Sequence, residues 1–343
     1  MEIHKKEETI DINTFYGFQE TKYIHPVLLE NIIKNLNTVT HTSLEHQCFP
    51  VDLYIYHKED EPKYFINFIV FYTKLVLSIL TDIHKECKKL TIRIYLSDLK
   101  KKFPKSGSVL SSRHINSGVT ISYLHEDLRE IFVFRKEEVF KVILHELIHA
   151  LRIDYGVFSN DSEQLFMSYF NAANKLVINE SYTDTLACIL NICIYSVCFG
   201  KIAGNERIES MFSKLIRQES IYILQKAKQV LDHSRLKYNN KSYLHQPNLY
   251  VEDTHALSYY VLKSLNFFNL NKFFWRATVF KYVLRDEQMY IDMLMKFLSN
   301  RKYWDYLSKI NVPTKDKSLR MSSIDLQVLL NKKKDKLLKT LML

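Results

Sequence analysis

The sequence predicts an α+β protein: a mixed sheet subdomain, then one buried helix, then a mostly helical C-terminal subdomain. Three observations carry this. Residues 51–56 (VDLYIY), 90–96 (LTIRIYL), 118–124 (GVTISYL) and 130–134 (EIFVF) alternate with the two-residue period of half-buried strands. Residues 161–343 hold apolar side chains at helical spacing almost throughout. Between them, residues 139–156 (VFKVILHELIHALRIDYG) are apolar nearly all round, which is the mark of a helix enclosed by other elements. The expected division is an irregular α/β segment over 1–60, an α/β unit over 61–156 and a helical unit over 157–343.

In chain order, Pro26 opens a helix over 27–39 (VLLENIIKNLNTV), because proline is tolerated in a first turn. The 51–56 strand follows, and Pro62 starts a long helix ending near Lys88. After the 90–96 strand comes a polar loop, KKKFPKSGS, broken by Pro104 and Gly107. The strands 118–124 and 130–134 are separated by a turn, His125-Glu126-Asp127, and pair as an antiparallel hairpin. The second strand runs through Arg135 and Lys136 into the apolar helix, for which Gly156 is the expected C-terminal cap. Helices are then expected over 161–174, 176–199, 205–233, 253–268, 270–284, 286–299, 301–309 and 322–340. Residues 65–80 and 186–199 are apolar but too short to cross a bilayer, so they read as core helices and no membrane span is expected.

Composition narrows the classes. Hydrophobic residues make up 47% of 343, enough for a large core and too many for a disordered chain. The net charge of +10 arises from 48 basic and 38 acidic residues that are mostly dispersed, with small clusters at 100–105 and 332–339. Neither cluster is interleaved with aromatics or set in a known recognition motif, so no specific nucleic-acid partner is expected. The five cysteines, Cys48, Cys87, Cys188, Cys193 and Cys198, are odd in number and form no C-x-x-C pair. They point to a reducing, cytoplasmic setting. The first residues, MEIHKKEETIDINTF, lack the apolar core of a secretory signal.

The chemistry centres on His145-Glu146-Leu147-Ile148-His149, an H-E-x-x-H pentad. Residues four apart stand nearly above one another on a helix, so His145 and His149 present two imidazoles from one face, the spacing that binds one zinc ion. Glu146 sits one step round, where its carboxylate can reach a water at the metal without ligating the metal, as a general base must. Zinc needs at least one further protein ligand. Asn179-Glu180-Ser181-Tyr182-Thr183-Asp184, an N-E-x-x-x-D motif, supplies one. Glu180 and Asp184 share a helix face, so Glu180 can ligate while Asp184 accepts a hydrogen bond from a ligand imidazole. Alone, Asn179 would read as a helix cap followed by acidic residues favoured by the dipole.

H-E-L-I-H-A at 145–150 followed by N-E-x-x-x-D at 179–184 resembles the gluzincins, the thermolysin-like zinc metallopeptidases. That resemblance implies a zincin-like fold, one Zn2+ held by His145, His149 and Glu180, Glu146 as base and proton shuttle, and a peptide or protein substrate. It also implies that the segment containing Asn116-Ser117-Gly118-Val119-Thr120 is an edge strand that pairs with extended substrate. A His or Tyr that donates to the developing oxyanion is expected downstream. His255 is the candidate donor, with Tyr259 as its partner, Tyr260 as a substitute and His245 as a rival. The wording INSGVT…VFRKEEVFKVILHELIH is also similar to proteins of large DNA viruses assigned as metallopeptidases. A second reading stands beside the enzyme: a zinc-containing scaffold whose catalytic machinery is idle.

Overall fold

The period-two runs assemble into one sheet. The computed structural model describes residues 4–6, 24–44, 48–81, 87–105, 107–123, 127–154, 159–203, 208–236, 249–279, 286–313 and 316–327. Its strands are β1 (His4–Lys6), β2 (Thr38–Leu44), β3 (Val51–His57), β4 (Lys89–Tyr95), β5 (Gly118–Tyr123) and β6 (Leu128–Val133). Their spatial order is β1-β2-β3-β4-β6-β5, which leaves β5 at an edge. The β3–β4 and β4–β6 pairs are parallel; β1–β2, β2–β3 and the β5–β6 hairpin are antiparallel.

Helix α1 (Pro26–Asn35) is shorter than expected. Residues 38–39, assigned from sequence to its end, instead begin β2, which pairs with β3 along its whole length. The run Thr38-Val39-Thr40 is β-branched, so its χ1 freedom is restricted in a helix while a pleated surface accommodates it. Helix α2 (Lys63–Thr81) makes the crossover that a parallel β3–β4 pair requires. The helix expected to reach Lys88 is followed here to Thr81, and residues 87–88 are already outside it.

Alternation divides the sheet's faces. Val51, Leu53, Ile55, Leu90, Ile92, Ile94, Ile131 and Val133 point into the main core, together with α2. Tyr56, Tyr95, Phe132 and Phe134 point the other way and are covered by Leu28 and Ile32 of α1 and by Leu36, its C-cap. A short helix, α3 (Ser112–Ile115), leads into β5. Its position is set by Arg135, a buried guanidinium that donates to the carbonyls of Asn116 (2.8 Å), Leu99 (3.1 Å) and Arg113 (2.5 Å). Burial pushes the Arg135 pKa down to about 10, which still leaves the group charged at neutral pH.

The pentad lies on α4 (Val139–Ala150), which packs on β5, β6 and α2. Every residue of α4 except His149 is buried. The helix ends at Ala150 rather than near Gly156, which lies outside the described residues. Arg152 takes the left-handed conformation (φ 53°), its N–H donating to His149 O and that of Ile153 to Ile148 O, both at 3.0 Å. This is a Schellman closure, usually made by glycine. Its consequence is that Asp154 is turned back toward the helix.

The second half is helical, as expected: α5 (Asn160–Phe170), α6 (Asn179–Ala203), α7 (Ile208–His233), a π-helical stretch (Leu257–Leu262), α8 (Lys263–Phe268), α9 (Leu270–Val279), α10 (Glu287–Leu298) and α11 (Arg301–Lys309). Two corrections concern its later part. The predicted helix over 253–268 starts only at Ala256, and its first turns wind as a π-helix. Residues 318–325, partly assigned to a helix over 322–340, form an extended strap; 328–343 lie outside the described residues. The strap is held by buried carboxylates, with Ser322 N donating to Glu138 (2.7 Å) and Ser323 N to Glu219 (2.8 Å).

One continuous core runs from Leu44 through α4 to Leu326, so sheet and helices close on the same apolar interior. Lys63–Thr81 and Asn179–Cys198 are long and apolar enough to cross a membrane by composition, and 61% and 78% of their windows are buried inside the protein.

Candidate metal centre

Helix α6 packs on α4 with its first turn over the pentad. Because Glu180 and Asp184 lie one turn apart on the facing side, both reach the two imidazoles. Glu180 Oε2 stands 3.1 Å from His145 Nε2 and 3.2 Å from His149 Nε2, and the two Nε2 atoms are 3.1 Å apart. These three atoms form the group suited to a metal among the described residues. Zinc bonds of about 2.0–2.1 Å place tetrahedral neighbours roughly 3.3–3.4 Å apart, close to this triangle.

The imidazoles are oriented from behind. His145 Nδ1 faces Asp184 Oδ1 at 3.2 Å, and His149 Nδ1 faces Asp154 Oδ2 at 2.6 Å. Each carboxylate holds the ring proton on Nδ1, which turns the Nε2 lone pair into the centre. Three electron-rich atoms then converge, an arrangement that repels itself unless a cation sits among them. Burial works against protonating His145, but Asp184 and Glu180 outweigh it and raise its pKa; for His149, Asp154 and Glu180 do the same more strongly. A pair of Nε2 protons would collide in a gap of 3.1 Å, whereas one divalent ion satisfies all three atoms. The residues present therefore fit a metal.

Asp154 is a residue that sequence reasoning missed. Besides His149 it accepts from Asn179 Nδ2 (3.1 Å) and Thr183 Oγ1 (2.9 Å). Asn179 thus orients an outer carboxylate and does not cap α6. A polar residue five positions beyond a pentad was the available signal, but the turn at Arg152 that brings it back has no glycine to announce it.

Asp184 lies between two buried lysines. Lys141, one turn before His145 on α4, pairs with Oδ1, and Lys263 of α8 reaches Oδ2 at 2.6 Å. Burial would raise the Asp184 pKa, yet Lys141 and Lys263 hold it well below the usual carboxylate range. Glu180 is likewise held low, burial being overcome by His149 and His145. Lysines inside apolar runs were the signal for this cluster, since a buried ammonium needs a carboxylate partner.

Glu146 of α4 stands beside the triangle, against edge strand β5. Thr120 Oγ1 lies 2.9 Å from its Oε2 and 3.0 Å from its backbone oxygen. Burial raises the Glu146 pKa against the opposing pull of His145, His149 and the Thr120 hydroxyl. Gly118 is required here by close approach: a Cβ would lie 2.5 Å from Glu146 Oε1 and 2.8 Å from Cγ. Gly118→Ala is expected to displace this carboxylate, because the added Cβ would overlap it, while metal content is unchanged. Elemental analysis beside a structure of the variant measures both.

The π-helical stretch brings Tyr259 to the centre. Its hydroxyl lies near the Glu180 carboxylate, and its ring centroid is 5.8 Å from that of His145. Burial, reinforced by the Glu180, Glu146 and Asp184 carboxylates, raises its pKa well above the ordinary value and keeps it a donor. His255 lies next to Tyr259, ring centroids 6.1 Å apart. Tyr260, the expected substitute, points elsewhere: its hydroxyl donates to Leu319 O at 2.5 Å, because consecutive residues on a helix face different directions. His245 lies outside the described residues. Thr254 Oγ1 donates to Asn116 Oδ1 (2.6 Å), joining the π-helical stretch to the entry of β5.

No protein-family model matches the chain. It is similar to uncharacterized protein R210 of Acanthamoeba polyphaga mimivirus, 27% identical over 96 residues. The match covers 27% of this chain and 23% of that protein, so it spans about a quarter of the relative's length.

Proposed function

We propose that the chain is a gluzincin-like zinc metallopeptidase that hydrolyses peptide bonds in an intracellular setting. The observation that carries this is the triangle of His145 Nε2, His149 Nε2 and Glu180 Oε2, with edges of 3.1–3.2 Å and a carboxylate behind each imidazole. When bound there, zinc supplies Lewis acidity, lowering the pKa of a water and polarising a carbonyl.

The chain's own residues do the rest. Glu146, aimed by Thr120 and given room by Gly118, takes the proton of the attacking water and passes it to the leaving nitrogen. Edge strand β5 offers backbone groups with which an extended peptide can pair, in the manner of strand addition. Tyr259, its ring 5.8 Å from that of His145, is the donor assigned to the developing oxyanion, with His255 beside it. The odd, scattered cysteines support a reducing compartment. The similarity to a mimivirus protein is in keeping with the viral resemblance of residues 115–149.

The test is a peptide library incubated with purified protein, new amino termini being counted with and without a chelator. We expect about one zinc per chain and cleavage that stops on chelation and returns with zinc. Zinc bound without cleavage of any peptide or protein would favour the idle scaffold.

A further inference from the structure

Beside the metal triangle, a recess is lined by Gly118, Glu146 and Tyr259 and by Lys101, Lys141 and Met321. Its free volume is about 20 Å³, room for roughly one water-sized group. Pockets for leucine or phenylalanine are floored by apolar side chains. Here two lysines, their side chains only 0% and 2% exposed, form the buried floor.

The charges around this floor do not cancel. Lys101 pairs with Glu138 at 2.6 Å, while Lys141 and Lys263 share the single carboxylate of Asp184. Glu219, also buried, accepts from Ser323 N and Ser323 Oγ at 2.8 and 2.6 Å. Arg320 is matched by Asp325 at 3.2 Å. Among the carboxylates paired directly with the lysines, three ammoniums therefore meet two. Glu146 also lines the recess, but its charge is turned to the metal triangle and Thr120.

Donors are left over as well. Each ammonium has three N–H groups. Lys263 spends two on Asp184 and Met321 O, at 2.6 and 2.7 Å. Lys141 has, beyond Asp184, only the weak thioether of Met321 at 3.4 Å. Lys101 Nζ, although close to Glu138, makes no well-directed hydrogen bond, and burial lowers its pKa despite Glu138. A desolvated ammonium with unused donors is costly unless an anion completes it.

We propose that this recess receives the carboxylate of an aspartate-sized side chain, carried by the substrate residue that contributes the leaving nitrogen. The proposal rests on the peptidase reading for its orientation. Glu146 must hand its proton to that nitrogen, so the residue bearing it lies on the Glu146 side, beside the recess. Charge separates aspartate from asparagine, which has nearly the same shape, and from leucine, which brings no group to an ammonium. Lys101 and Lys141 are the specificity-determining residues.

The experiment uses the zinc-loaded full chain carrying Glu146→Gln, which binds peptides without turning them over. Fluorescein-labelled alanine heptapeptides with Asp, Asn or Leu at the central position are titrated and followed by anisotropy. The Asp peptide is expected to bind about 10-fold more tightly than the Asn peptide, as a charge-assisted contact should. Adding Lys101→Met with Glu138→Gln removes one ammonium together with its paired carboxylate and should narrow the difference, Lys141 remaining on Asp184. Should that combination not fold, as judged by circular dichroism and zinc content, the Asp-against-Asn comparison in the parent decides alone. Equal binding of Asp and Asn, preference for Leu, or no binding of any peptide overturns the proposal. Wild-type cleavage of all three peptides alike would retain the peptidase and discard the recess. Selective Asp binding by a wild type that cleaves nothing would retain the recess and discard the hydrolysis.

Discussion

Replacing Glu146 by Gln is expected to lower turnover by about 10²–10⁴-fold, the usual contribution of a positioned acid–base group, while zinc remains bound at about one per chain. Gln keeps the shape and the hydrogen bond from Thr120, now 2.9 Å from Oε2, but cannot accept and return a proton. Glu146 also lies outside the set of three convergent atoms, so its loss leaves the metal's ligands in place. Peptide hydrolysis measured beside elemental analysis gives the result. A variant with wild-type turnover would remove Glu146 from the chemistry. Loss of zinc together with activity would make it a ligand and displace Glu180 from that role.

Glu180→Ala should weaken zinc binding by more than the roughly 10–100-fold that an outer hydrogen-bond partner of a ligand is worth. Two imidazoles 3.1 Å apart remain, with no charged group to complete the coordination. Asp154→Asn provides the scale: it alters only the group behind His149, at 2.6 Å from Nδ1, and should fall within that 10–100-fold range. Competition with a chromophoric chelator at fixed pH measures all three proteins. If Glu180→Ala retained wild-type affinity, the centre would be assembled from other groups and the gluzincin reading would fall. If Asp154→Asn were the more damaging of the two, Asp154 would belong among the ligands.

Much of the site was legible because its residues sit at helical intervals. His145 and His149 are one turn apart, as are Glu180 and Asp184, and such pairs meet on one face whatever surrounds them. The strands β3 and β4 were legible for the related reason that each buries alternate side chains, and β5 and β6 because apolar and polar residues alternate in their sequence. Strand β2 was not, since apolar spacing over 27–39 resembles a helix and only pairing with β3 decides otherwise. The choice between Tyr259 and Tyr260 was equally hidden. It depends on how a π-helical stretch is wound against α7 and α6.

From its sequence alone this protein has an α+β fold with a buried H-E-x-x-H helix and an acidic pair on a later helix, because each of those features is a repeat within a single element. Tertiary structure alone brought Asp154 behind His149, set Lys141 and Lys263 on Asp184, pressed Gly118 against Glu146 and floored the neighbouring recess with Lys101 and Lys141. Each of these contacts depends on a turn of unusual backbone or on the crossing of elements distant in the chain. Such angles are settled by the packing of a shared core, which no local period in the residues encodes.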